Sequence, residues 1–246
     1  MYEQRFYREQ LRKNDLEYFQ LTMKETDLLI GVDRVTAEIK DILKQKLADL
    51  RNDLEIYIGK NPLFEMSFKP IPVLPDAPSI VKRLAAAAER AGVGPMAGVA
   101  GCLAEMAGEE LAKYSREVIV ENGGDIYIRT GQTRNIGIYA GASKFTGKLA
   151  LEIRPEETPL GVCTSSGTIG HSVSLGRAEA CLVKCASCTL ADAYASAIGN
   201  LVQTKADLPG ILAMAQKLPD LSGVLLIVDN ELGIWGNIKI KETGAL

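Results

Sequence analysis

The sequence predicts an α+β fold in which helices pack on antiparallel sheets. Three observations carry that prediction. Strand-like runs come in groups and do not alternate singly with helices, which argues against a doubly wound parallel sheet. A long amphipathic segment separates the first strand pair from the next group. The chain closes on a strand, a turn and a strand.

The elements follow in order. "DLEYFQLTMKETDLLIGVD" reads as two strands with a turn near Glu25–Asp27. "VTAEIKDILKQKLADLRNDLEIYI" repeats apolar residues at helical spacing and is an amphipathic helix. "NPLFEMSFKPIPVLPDAP" holds five prolines and is a connector. Helices are expected at 77–91 and 95–114. The runs "REVIVEN", "DIYIRT", "NIGIYA", "KLALEIR", "LGVCTSS" and "AEACLVKC" read as strands. Two more helices are expected at 190–203 and 207–217, before the closing "GVLLIVDNELGIWGNIKIK". Each half runs strands, helices, strands, which points to an internal duplication without sequence identity between the halves.

Composition narrows the function classes. The 246 residues are 47% hydrophobic and 24% charged, which is ordinary for a globular chain with a sizeable core. A net charge of −3 and the lack of an arginine-rich run argue against nucleic acid as partner. No apolar run reaches the ~18 residues of a membrane span. The N-terminal "MYEQRFYREQLRKNDLEYF" is too charged for a signal peptide. Five cysteines without an export signal predict reduced thiols and a cytoplasmic protein.

Four stretches carry candidate chemistry. "ERAGVGPMAGVAGCLAEMAGEEL" places Gly92, Gly94 and Pro95 ahead of a helix start, where free N–H groups suit an anion. Gly98 and Gly101 share one face of that helix, and each costs about 1 kcal/mol against alanine. A ligand or another backbone at close range would offset that cost. No Walker phosphate loop or dinucleotide fingerprint is present. "VIVENGGDIYIRTG" sets Gly123, Gly124 and Asp125 between strands, either as a simple hairpin turn or as a place where a ligand meets the sheet edge. "CTSSGTIGHSVSLG" gathers Thr164, Ser165, Ser166, Gly167, His171 and Ser172, a surface loop or a ligand-binding one. It has no nucleophile elbow. In "CTLADAYASAIGNLV" Thr189 is the N-cap candidate and Asp192 its capping-box partner. Asp192, Ser196 and Asn200 also line one helix face, and the first two suit a hard cation such as Mg²⁺.

"CLVKCASC" has the spacing of a cluster-binding motif, but it alternates like a strand. Cys181 and Cys185 would then lie roughly 13 Å apart at ~3.3 Å per residue, too far for one iron–sulfur cluster. No such cluster is expected.

"VENGGDIYIRTG", "TSSG" and "ADAYASAIGN", in that order, resemble the motifs of the ApbE-type flavin transferase superfamily. "VGPMAGVAG" and "TSSGTIGHSVSLG" are similar to an uncharacterised, anaerobe-associated branch of it. The resemblance spans about Pro75 to Val202. It implies a two-repeat, T-fold-like architecture, one domain over 1–246 built from two interleaved α/β repeats. It further implies a flavin or other nucleotide as ligand, with Mg²⁺ at Asp192 and Ser196. It implies a role in sulfur and homocysteine assimilation, hence a sulfur-assimilation protein as a partner, and a homo-oligomer is allowed. Two departures stand against FMN transfer. The "AGVAG" stretch lacks the family's lysine, and "SVSLGRAEA" follows His171 where the family has "DPxTG". Three functions follow: a binder of a small anionic ligand, a Mg²⁺-dependent FAD:protein FMN transferase, or a non-catalytic docking protein.

Overall fold

The computed structural model describes residues 15–167 and 175–243. Among the described residues there are eleven strands: β1 (Glu17–Met23), β2 (Thr26–Val32), β3 (Val118–Asn122), β4 (Asp125–Arg129), β5 (Arg134–Gly137), β6 (Leu149–Ile153), β7 (Leu160–Ser165), β8 (Ala180–Cys185), β9 (Leu221–Val228), β10 (Glu231–Gly236) and β11 (Ile240–Glu242). The helices are α1 (Ala37–Lys60), the single turn α2 (Leu63–Met66), α3 (Ser79–Ala91), α4 (Val99–Leu111), α5 (Cys188–Leu201) and α6 (Leu208–Ala215).

Eight strands form one antiparallel sheet in the order β1-β2-β3-β4-β7-β8-β9-β10, and β11-β6-β5 form a second, smaller one. In the large sheet the helices α1–α4 are inserted between β2 and β3, and α5 and α6 between β8 and β9. The two halves of the sheet thus share one layout, two strands, helices, two strands.

Side-chain alternation sorts the strands onto two cores. Leu28, Ile30 and Val32 of β2, Val118 and Val120 of β3, and Val224, Leu226 and Val228 of β9 pack against the helices. Their neighbours Leu29, Ile119, Leu225 and Ile227 face the small sheet, meeting Ile136, Leu151 and Ile153. The arrangement is three layers: helices, large sheet, small sheet.

The boundaries differ from the sequence expectation where capping decides them. The hairpin after β1 turns at Lys24, which takes a left-handed φ of 51°, and Asp27 already belongs to β2. The segment after Gly94 opens as one 3₁₀ turn, Pro95–Gly98, before α4 begins. Helix α5 is capped by Ser187, whose hydroxyl accepts from Leu190 N–H, and not by Thr189. All five cysteines are buried and free. Cys181 and Cys185 lie on β8 and face the helices, and Cys188 opens α5.

Candidate functional site

The glycines of α4 are explained by a second helix. A Cβ on Gly101 would lie 2.5 Å from Cys188 O and 2.7 Å from the Asp192 Cβ, so no side chain fits there. Gly98 makes the same kind of contact a turn earlier, where a Cβ would be 2.9 Å from Thr189 O. Helices α4 and α5 therefore touch backbone to backbone. The first core also passes between them through Ala104, Ala107, Ala191 and Ala195, all small and buried.

That approach puts each helix start beside a carboxylate of the other. Asp192 of α5 accepts from Gly101 N–H of α4 at 2.8 Å. Glu105 of α4 accepts from Thr189 N–H at 2.9 Å and from the Ser187 hydroxyl at 3.0 Å. Each carboxylate supplies the negative charge that the facing helix N-terminus favours. Asp192 caps a neighbour, then, and not its own helix as a capping box would require. The N–H groups expected to be free for an anion are partly occupied for the same reason.

Above this junction lies a cavity of about 710 Å³. Gly92, Gly94, Met96 and Ala100 form one wall. Gly123, Asp125, Thr164 and Ser165 form the sheet edge, and Asp192, Ser196 and Asn200 the α5 face. Gly94 is needed because the proline-rich connector crosses it, and a Cβ there would overlap Ser67 O. The turn Asn122–Asp125 is a tight hairpin with Gly123 and Gly124 at φ of 70° and 110°. It is thus both the hairpin turn and a portion of the cavity wall. Asn122 fixes it to the helix start by donating to Ala100 O at 3.1 Å.

Other candidates fall elsewhere. Gly98 is spent on the α5 contact and does not line the cavity. Gly167 also stays outside it, donates to Ala178 O at 2.9 Å and lies too close to Gly176 O for any side chain. Ser166 is just beyond β7, next to the lining residue Ser165. His171 and Ser172 lie outside the described residues.

The floor is electrostatically unusual. Asp125 is 7% exposed and Asp192 8%. Burial pushes the Asp125 carboxyl well above its ordinary value, and the Asp192 charge pushes it further. Burial also raises Asp192, against the N–H groups of Gly101 and Ala100. Asp125 Oδ1 is buried without a hydrogen-bond partner. Beneath it Cys163 Sγ lies 3.5 Å from Cys188 Sγ, and burial holds both thiols protonated.

Sequence reasoning missed the rim. Met66, Phe68, Leu175 and Leu201 line the mouth while remaining 65%, 72%, 69% and 50% exposed, an apolar collar for a polar floor. Met66 and Phe68 belong to the connector, and only the close approach at Gly94 brings it here. Arg90 also reaches the cavity and pairs with Asp220.

Comparison with known proteins identifies the family and the fold. A family model described as "AbpE bacteria" matches residues 8–224. The chain belongs to that family. A UPF0280 protein of Methanocaldococcus jannaschii is 41% identical over 228 residues, which cover 89% of this chain and 90% of the relative. A UPF0280 protein of Methanocella arvoryzae is 40% identical over 190 residues, 77% of each chain. Among solved structures, the apo flavinyl transferase ApbE of Pseudomonas stutzeri matches with a TM-score of 0.58 at 14% identity, covering 93% of this chain and 94% of that one. An ApbE protein from Thermotoga maritima matches with a TM-score of 0.56 at 12% identity over 92% of this chain and 97% of its own. At such identities the structural likeness establishes an ApbE-like fold, antiparallel sheets with helices packed on them. Among the described residues no helix is long and apolar enough to cross a membrane.

Proposed function

We propose that the cavity binds a small anionic ligand of nucleotide or flavin type together with Mg²⁺. One observation carries the reading. The Gly-Gly-Asp turn, the end of β7 and the Asp192–Ser196 face come from distant regions of the chain and meet at one cavity. Asp192 and Ser196 would contribute oxygens to the metal, which would neutralise ligand charge. Gly92 and Gly123 leave room for the ligand beside the backbone, and Thr164 and Ser165 supply hydroxyls. The apolar collar suits the flat, less polar portion of such a molecule. The shared layout of the two sheet halves supports reading the chain as one domain of two repeats.

The test is thermal unfolding with FAD, FMN or ATP, each with and without Mg²⁺. At least one of them with Mg²⁺ should raise the midpoint beyond Mg²⁺ alone, and Asp192→Asn should abolish that gain while the protein stays folded. No gain with any of the three would reject the reading.

A second reading is favoured by the collar itself, since exposed apolar residues around a cavity also suit a protein segment. In it the chain docks a sulfur-assimilation protein. Its test is co-purification from native extract, lost on Phe68→Ser. FMN transfer to a threonine is not expected, because α4 and its lead-in carry no lysine from Pro95 to Leu111. Incubation with FAD, Mg²⁺ and a threonine peptide should leave the peptide mass unchanged.

A further inference from the structure

Two sulfurs lie under the cavity floor. Cys163 on β7 and Cys188 at the start of α5 are 25 positions apart in the chain, yet their Sγ atoms are 3.5 Å apart. Both residues are fully buried. The one Cys163 thiol hydrogen is shared between Cys188 O, at 3.3 Å, and the Asp125 carboxylate. Other cysteines are placed differently. Cys102 Sγ meets Met106 Sδ at 3.8 Å, and Cys181 packs against Gly199.

Packing holds the pair together. A Cβ on Gly161 of β7 would overlap Cys188 Cα, and one on Gly101 of α4 would lie 2.5 Å from Cys188 O. The start of α5 is wedged between β7 and α4, so its backbone cannot drift out of reach of Cys163. A disulfide needs an S–S distance of about 2.05 Å, so the sulfurs need close only about 1.5 Å.

We propose that Cys163 and Cys188 join as a disulfide when the protein meets a peroxide, and that this bond is a redox switch on the cavity floor. In the first step the Cys163 sulfur attacks hydrogen peroxide. The O–O bond breaks, a sulfenic acid forms, and the second oxygen leaves as water with the thiol proton. In the next step the Cys188 sulfur attacks the sulfenic sulfur. The S–S bond forms, and the hydroxyl leaves as water with the second proton. Two thiols are oxidised and one peroxide is reduced to two waters. Burial favours a water-sized oxidant and sets Cys188 beside the sulfenic acid while excluding bulkier reagents. It also keeps both thiols protonated, so the first step is slow beside that of an exposed thiol. The bond takes away the thiol hydrogen that supports Asp125, so the oxidised cavity holds an anionic ligand and Mg²⁺ less tightly. That consequence rests on the function proposed above. The disulfide does not.

The test uses the whole protein, fully reduced and then held with hydrogen peroxide under native conditions. Two of the five thiols should be lost. Peptide mapping should find Cys163 linked to Cys188, with a mass two hydrogens below that of the reduced peptides and restored by dithiothreitol. Cys163→Ala and Cys188→Ala should each abolish the link, and Cys181→Ala should keep it. Where an alanine variant does not fold, the mapping of the wild type decides alone. Retention of all five thiols in the folded protein, or a link between other cysteines, would overturn the disulfide. Thermal unfolding with FAD or ATP and Mg²⁺ then compares the two redox forms. Binding should be about fivefold weaker in the oxidised one, the worth of one hydrogen bond. Equal affinity would overturn the switch. A disulfide that forms in a protein binding neither ligand in either form would leave the redox pair standing and reject the ligand reading instead.

Discussion

Buried acids on the two faces of the large sheet are treated in opposite ways. On the small-sheet side Glu117 accepts from Arg134 at 2.7 Å and from the Thr130 hydroxyl at 2.6 Å, and Arg134 also holds Asp15. Burial alone would raise the Glu117 pKa, but Thr130, Arg134 and the Gly131 N–H together bring it below the ordinary value. Glu152, on β6, is held down to about 2 by Lys239, then Lys241. On the helix side Asp125 and Asp192 both line the cavity without such basic partners, and both are pushed up, mainly by burial. An acid with every oxygen satisfied belongs to the architecture. An acid left with a bare oxygen in a cavity is a site that something else completes.

The largest effect should come from breaking the compensated side. Arg134→Met would strand Glu117 and Thr130 in a buried position, and breaking such a pair costs about 3–5 kcal/mol. Denaturant unfolding measures it, and a cost near zero would mean that Glu117 escapes to water and that the contrast is false.

Next comes the helix junction under the uncompensated side. Gly101→Ala places a methyl against Cys188 O and the Asp192 Cβ, so α4 and α5 must separate. Overpacking of this kind costs roughly 1–3 kcal/mol. It should also displace Asp192 and lower Mg²⁺ affinity. Gly59→Ala is the control, since nothing lies near a Cβ there and the position is helical. It should be neutral or slightly stabilising.

The third test separates the two faces by pH. Asp125 and Asp192 have folded pKa values above their unfolded ones. The folded protein therefore holds more protons than the unfolded chain, and this stabilisation is present at acid pH and lost as pH rises. The window runs from the unperturbed 3.8 to about 7 for Asp192. Glu117 has the opposite sign, giving stability above the ordinary carboxylate value that is lost as pH falls through its depressed one. Metal-free wild type should lose unfolding free energy between pH 5 and pH 7.5, on the order of 2–3 kcal/mol from Asp192 alone. Asp125→Asn should flatten that slope, and Mg²⁺ should restore the wild type mainly at the alkaline end. An Asp125→Asn profile parallel to wild type would mean the pair is not coupled.

The smallest effect concerns the cap. Asp192→Asn keeps an oxygen for the Gly101 N–H, whereas Asp192→Ala removes it at a cost of about 1 kcal/mol. Equal stability of the two in metal-free buffer would show that the cross-helix cap contributes little.

Much of the fold was legible because its signals are local. Continuous apolar runs mark β2, β3 and β9, which are buried on both faces, and the apolar stripe marks α1, since helical geometry alone sends those side chains to one face. The Asn-Gly-Gly-Asp turn needs left-handed residues, and only glycine adopts them cheaply. The polar spacing of Asp192, Ser196 and Asn200 also follows from helical geometry alone.

What the sequence by itself determined, then, is which elements form and which faces are polar. Tertiary structure decided what those faces meet. Gly98 and Gly101 could have admitted a ligand or a backbone, and the approach of α5 chose the backbone. Asp192 could have capped its own helix, and that same approach gave it to Gly101. Ser187 displaced Thr189 as the cap because Glu105, 82 residues away from Ser187, holds that helix start. The pairing of Asp125 with Asp192 had no sequence signal at all. Charge repulsion depends on distance and on exclusion of water, and both exist only once the sheet edge and α5 close around one cavity.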